Sequence, residues 1–191
     1  MIESIVPFTK IELLPRLEET NREVTDYFAS IPASAFFEHP PEVWSPAENV
    51  VHLIKSVSPV AKAMKLPKIL LAVLFGPSRA ASRRFDQIKE DYRRVLAGGM
   101  RAPRQFVPIV NNAPADGVRA QQEILEKWAQ TGNNLLAIVQ KWREGDLDKY
   151  RLPHPALGKL TIREMLFFTL YHNLHHVNNV RKWRGEAVIS L

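Results

Sequence analysis

The stretch TIREMLFFTLYHNLHHVNNVRKW, residues 161–183, decides how this chain folds. It opens on Thr161-Ile162-Arg163-Glu164. In that pattern the threonine oxygen accepts a free backbone N–H at a helix start, and the glutamate three residues on reaches back to the threonine's own N–H. The stretch closes before Gly185, a residue suited to the turn that ends helices. Between these ends Ile162, Met165, Thr169, His172, His176, Asn179 and Trp183 recur in steps of three and four, the spacing of a buried helical seam. Two seam positions are histidines one turn apart on one face, so His172 and His176 can aim ring nitrogens at a single point. A polar ring left without a partner in an apolar core costs about 1–3 kcal/mol. A divalent cation that accepts both lone pairs removes that cost, as would hydrogen bonds to neighbouring helices.

Working outward, the rest of the chain also reads as helix. Ser45-Pro46-Ala47-Glu48 is a second capping box, with proline at the first helical position, and it predicts a helix that Pro59 bends or ends. Helical spacing of Ile11, Leu14, Leu17, Val24, Tyr27 and Phe28 predicts a first helix over 9–30, with Pro15 in its first turn. A third long helix is expected over 116–142, and a loop over 145–159. No strand pattern bounded by Asn-Gly or Asp-Gly occurs. The expected fold is therefore all-α: a four-helix bundle forming one domain over 1–191, with 59–114 as a long, irregular helical crossover. That crossover holds a short apolar helix, 69–75, and a basic amphipathic helix, 82–96.

His52 lies on the second helix, beside its apolar face. Bundles build metal sites from side chains on facing helices, which makes His52 the expected third ligand opposite His172 and His176. Three imidazoles leave a coordination position for water or substrate, the mark of a catalytic site. His175 could replace His176 without leaving the general face, but the seam continues better through His176; His175 is expected behind the ligands or at the bundle margin. His154, between Pro153 and Pro155, either lines the site mouth or serves a turn, and His39 receives no role.

Composition narrows the chemistry. The absence of cysteine excludes disulfides, thiolate zinc sites, iron–sulfur clusters and a cysteine nucleophile. Any thiol chemistry must use a thiol brought by a substrate. The formal charge of +6 is concentrated over 62–104, where a solvated helix with loops is the expected reading and a face for nucleic acid, an anionic membrane surface or an acidic substrate the alternatives; no groove-reading motif accompanies it. Residues 1–8 lack a secretory pattern and the longest apolar run, 69–75, is too short for a membrane span, so a cytoplasmic location is expected.

Two stretches carry a family resemblance. Trp44-Ser45-Pro46-Ala47-Glu48-Asn49-Val50-Val51-His52-Leu53 resembles the lead-in to the first ligand histidine of the DinB-like superfamily, whose members are also described as YfiT-like candidate metal-dependent hydrolases. His154-Pro155-Ala156-Leu157-Gly158-Lys159-Leu160-Thr161-Ile162-Arg163-Glu164, followed by 172–176, resembles its C-terminal signature. The resemblance implies the same metal trio, His52, His172 and His176, with zinc or nickel as the ion, a crossed bundle and a homodimer. It also implies a metal-dependent enzyme, either a hydrolase or an S-transferase using a low-molecular-weight thiol on a small-molecule substrate. The alternative is a non-catalytic metal- or small-ligand-binding module of stress responses. Residues 59–114 match nothing in the family pattern, and no general base can be assigned, because Glu48 and Glu164 serve the capping boxes.

Overall fold

The computed structural model describes residues 9–190. Four long helices carry the architecture: α1 (Lys10–Ala29), α3 (Pro46–Met64), α6 (Gly117–Lys141) and α8 (Ile162–Trp183). Helices α6 and α8 each pack against both α1 and α3, which closes the ring of a four-helix bundle. The fold is thus all-α apart from one small hairpin.

Each helix start has a local cause. Thr9, Ser45 and Thr161 all make complete capping boxes with Glu12, Glu48 and Glu164, while Asp116 accepts the Arg119 N–H at the start of α6. The Thr9 box escaped the sequence reading although its spacing is the same. Pro15 stands beyond the first turn of α1, which continues regardless. Helix α3 likewise continues through Pro59 to Met64 instead of ending there. Burial of Val57, Val60, Ala61 and Met64 on that last stretch outweighs the roughly 3 kcal/mol that an interior proline costs.

The expected loop over 145–159 is structured. It contains α7 (Glu144–Lys149) and an antiparallel hairpin of β1 (Arg151–His154) and β2 (Gly158–Thr161), in register Leu152 to Leu160 and His154 to Gly158. Leu152 and Leu160 face the core together, and Gly158 adopts φ +73° to close the three-residue turn. Proline in β1 hid this strand from the pattern, because proline is tolerated only where no ladder hydrogen bond is needed.

The crossover holds α4 (Lys68–Phe75), α5 (Phe85–Ala97) and a short 3-10 turn, Arg104–Phe106; a further short helix, α2 (Ala33–Phe36), precedes α3. Helix α4 buries only Leu71, and its C-terminal carbonyls are held by Arg151 and Lys159. Helix α5 lies along α8. As a result α8 is buried on nearly every face from Ile162 to Asn173, rather than along a single seam, and Asn179 at the far end of the expected seam is exposed. No helix among the described residues is long and apolar enough to cross a membrane.

Part of the basic block is tied up in ion pairs. Lys68 pairs with Asp146, Arg83 with Glu164 and Asp91, Arg84 with Asp86, and Arg94 with Asp91. Lys65 donates to the Asn134 side chain.

Candidate metal centre

Helices α3 and α8 bring His52, His172 and His176 together, all three buried, with one ligand nitrogen of each within 4.8 Å of the others. The Nε2 atoms of His52 and His176 each stand 3.2 Å from His172 Nε2. Nitrogens placed tetrahedrally at 2.0–2.1 Å from a zinc-like ion are about 3.3 Å apart, close to both values.

The outer nitrogens settle the protons. His52 Nδ1 lies 2.8 Å from the Phe106 carbonyl oxygen, which can only accept, so His52 carries its proton on Nδ1 and keeps a lone pair on Nε2. His176 Nδ1 lies 2.7 Å from Asn49 Oδ1. The Asn49 amide donates through Nδ2 to the carbonyls of Trp44 and Ser45 at 3.1 and 2.9 Å, which turns its oxygen toward His176 and fixes the same tautomer there. Two lone pairs therefore face His172 Nε2, and a neutral His172 has at most one proton for both. The Ser56 hydroxyl, 3.4 Å from His52 Nε2, donates at 2.9 Å to the His52 carbonyl.

Protonation does not resolve the crowding. Burial pushes His172 and His176 well below the ordinary imidazole range, and the neighbouring rings add to the effect. Burial also lowers His52, against the opposing effect of the Phe106 carbonyl. Three neutral imidazoles with converging inner nitrogens, two of them held through their outer N–H groups, fit a divalent cation: the inner nitrogens supply its donor set, and the outer hydrogen bonds of His52 and His176 hold those two rings in orientation.

The trio opens onto a cavity of about 870 Å³ with mostly apolar lining. Trp44 stacks over His176 at 6.0 Å between ring centres and leans on His52 at 4.8 Å, covering two of the rings. Phe168 stacks on His172 from the other side at 4.8 Å, and Tyr92 meets the His172 ring edge-on at 5.9 Å. The side-chain oxygen of Asn173, which also lines the cavity, is buried with no hydrogen-bond partner among the described residues. A buried acceptor without a partner beside a cavity is a candidate position for an ordered water.

The remaining histidines separate clearly. His175 lines the cavity but lies outside the trio; its Nε2 pairs with the Asn179 amide and its ring stacks on Tyr171. His154 braces a turn and also lines the cavity. Its Nδ1 accepts the backbone N–H groups of Ala156 and Leu157, which braces the hairpin turn, and its ring packs on Phe168 at the cavity wall. Burial lowers both rings to about 4. His39 acquires a partner, Glu48, at 2.7 Å, so that this carboxylate is committed to a cap and a ring.

Sequence reasoning missed Asn49, Trp44 and Phe106 as supports of the trio, and Tyr92 as a wall. Asn49 was within reach, because it stands three residues before His52 on the same helical face. The Phe106 contribution is a backbone carbonyl fifty-four positions away and leaves no signature in side-chain pattern.

An all-helical bundle with a buried trio of histidines from two facing helices defines a candidate metalloprotein class. The sequence model of the DinB superfamily matches residues 16–180, and the chain belongs to that superfamily. No curated protein and no solved structure matches the chain.

Proposed function

We propose that this chain is a metal-dependent enzyme that holds one divalent ion, zinc or nickel, through Nε2 of His52, His172 and His176. The observation that carries the reading is the proton arrangement: two rings are tethered through Nδ1–H with their free lone pairs turned inward, beside an open cavity. When bound, such an ion acts as a Lewis acid, lowering the pKa of a coordinated thiol or water and polarising a carbonyl.

The chain's own groups supply the rest. Phe106 and Asn49 hold the rings, while Trp44 and Phe168 keep bulk water from them. Among the described residues the cavity lining includes one carboxylate, exposed Glu42, and two cations, Arg101 and Lys182. Glu48 and Glu164 are held by their caps and by His39 and Arg83. With no carboxylate positioned at the trio as a base, S-transfer by a low-molecular-weight thiol is favoured over hydrolysis, because a thiol is acidic enough to need little help. Arg101 and Lys182 suit an anionic thiol or substrate. The same reading takes the protein as a cytoplasmic homodimer acting on a small molecule without nucleic acid, in keeping with the ion pairing of Arg83 and Arg84 within the basic block.

The test is a panel of low-molecular-weight thiols with an aryl halide electrophile on metal-loaded protein. Conjugate formation that disappears on chelation and in His172→Ala is expected. Absence of conjugate with every thiol, alongside metal-dependent ester cleavage, would instead identify a hydrolase. Absence of both would favour a binding module.

A further inference from the structure

The cavity is not uniform along its length. Helices α3 and α8 run antiparallel beside it, since Asn49 meets His176 and His52 meets His172. Helix α5 follows α8 in direction: Phe85 packs on Phe167, and Tyr92 on Tyr171 and His175. Arg101, beyond the end of α5, and Lys182, near the end of α8, therefore lie toward the histidine end, as does Glu42, which precedes α3. These three are the charged side chains of the lining, apart from the histidines, among the described residues.

In the opposite direction the lining turns apolar, with Val60 and Ala63 from the late part of α3, Phe75, Leu152, and Met165 from the start of α8. Two of the polar groups met on the way are turned to the protein's own backbone. The Thr169 hydroxyl donates to the Met165 carbonyl, and His154 Nδ1 accepts its two backbone N–H groups. From His52 to Ala63 the helix advances eleven residues, about 16 Å at 1.5 Å per residue. A saturated chain of roughly a dozen carbons has that length, and the whole cavity is of ligand size.

We propose that the substrate of this centre is amphipathic, with a polar or anionic reactive group at the histidine end and an extended apolar tail lying along the arm toward Ala63. The placement of the head rests on the metal-centre reading above. The tail rests on the apolar arm alone. An apolar arm of this depth stabilises a ligand by removing its methylenes from water, each tightening binding roughly fourfold until the arm is filled.

The experiment is calorimetric titration of a straight-chain hydroxamate series, from acetohydroxamate to the dodecyl member, into metal-loaded and chelator-stripped protein. The hydroxamate head is a metal chelator and the tail is the variable. Expected is a tightening of about fourfold per methylene in the middle of the series, levelling off at roughly ten to twelve carbons, with the whole series weakened by metal removal. Ala63→Phe shortens the chain length at which tightening stops. Affinity independent of chain length in the metal-loaded protein overturns the tail. Length dependence that is identical with and without metal supports the tail and overturns the placement of the head on an ion. The wild-type series decides the matter whether or not the variant folds, and a length profile unchanged in folded Ala63→Phe also overturns the tail.

Discussion

At the start of α8, Arg163 lies buried between the carboxylates of Asp148 and Glu144, at 2.7 and 2.6 Å, while Arg83 grips Glu164. Three turns further along the same helix, His172 and His176 are as deeply buried, yet their inner nitrogens face another imidazole rather than a donor of their own. The first cluster is complete: charges of opposite sign meet, and Ser82 adds a hydroxyl bond to Asp148. The second is satisfied only at the outer nitrogens of His52 and His176. Closed polar clusters of the first kind pin elements together, here the crossover, α7 and α8. A cluster that turns lone pairs inward has donor atoms that could hold a cation.

Variants should separate the two ends. His172→Ala or His176→Ala should drop metal content from about one ion per chain to a tenth or less, whereas His175→Ala, outside the trio, should leave it nearly full. Elemental analysis of the purified variants checks this, and equal losses in all three would break the assignment. Arg163→Ala should cost about 2–3 kcal/mol of stability by urea unfolding, below the value for fully buried pairs because both acids are partly exposed. Its metal content should not change; a matching loss of metal would show that the two ends are not independent.

Asn49→Ala frees the outer nitrogen of His176 while leaving all three candidate ligands in place. Metal affinity should fall roughly 10–100-fold, measured by chelator competition, with a smaller loss of stability. An unaltered affinity would mean that the amide does not orient the ring. The last prediction concerns pH. His154 and His175 titrate at about 4 in the fold, and the trio is lowered too. The unfolded chain takes up protons near the ordinary imidazole value of about 6.5, so it gains protons first as pH falls. Stability of metal-stripped protein should therefore be fully present above about pH 6.5 and decline toward pH 4. Urea midpoints at pH 7 and pH 5 that coincide would contradict the burial of these rings as neutral species.

Much of this was legible in the sequence because its causes are local. The Ser45 and Thr161 boxes fix where α3 and α8 begin, and one turn of helix sets His172 beside His176. The placement of His52 needed only the rule that bundle sites face one another across helices. What escaped depends on distant chain. The hairpin holding His154 is stabilised by Leu152 and Leu160 reaching the core, and Pro153 masked its alternation. Helix α3 survives Pro59 because of what it packs against. The buried surroundings of α8 come from α5, which reads as a solvated basic helix but sends Tyr92 against His172.

The central claim is that three imidazoles share one ion, and X-ray absorption spectroscopy at the metal edge tests it most directly. Protein purified with its metal, or loaded with one equivalent of zinc or nickel, should show nitrogen scatterers near 2.0–2.1 Å and the outer-ring scattering of about three imidazoles. A spectrum with one imidazole or none, on an ion that remains bound after desalting, would contradict the account.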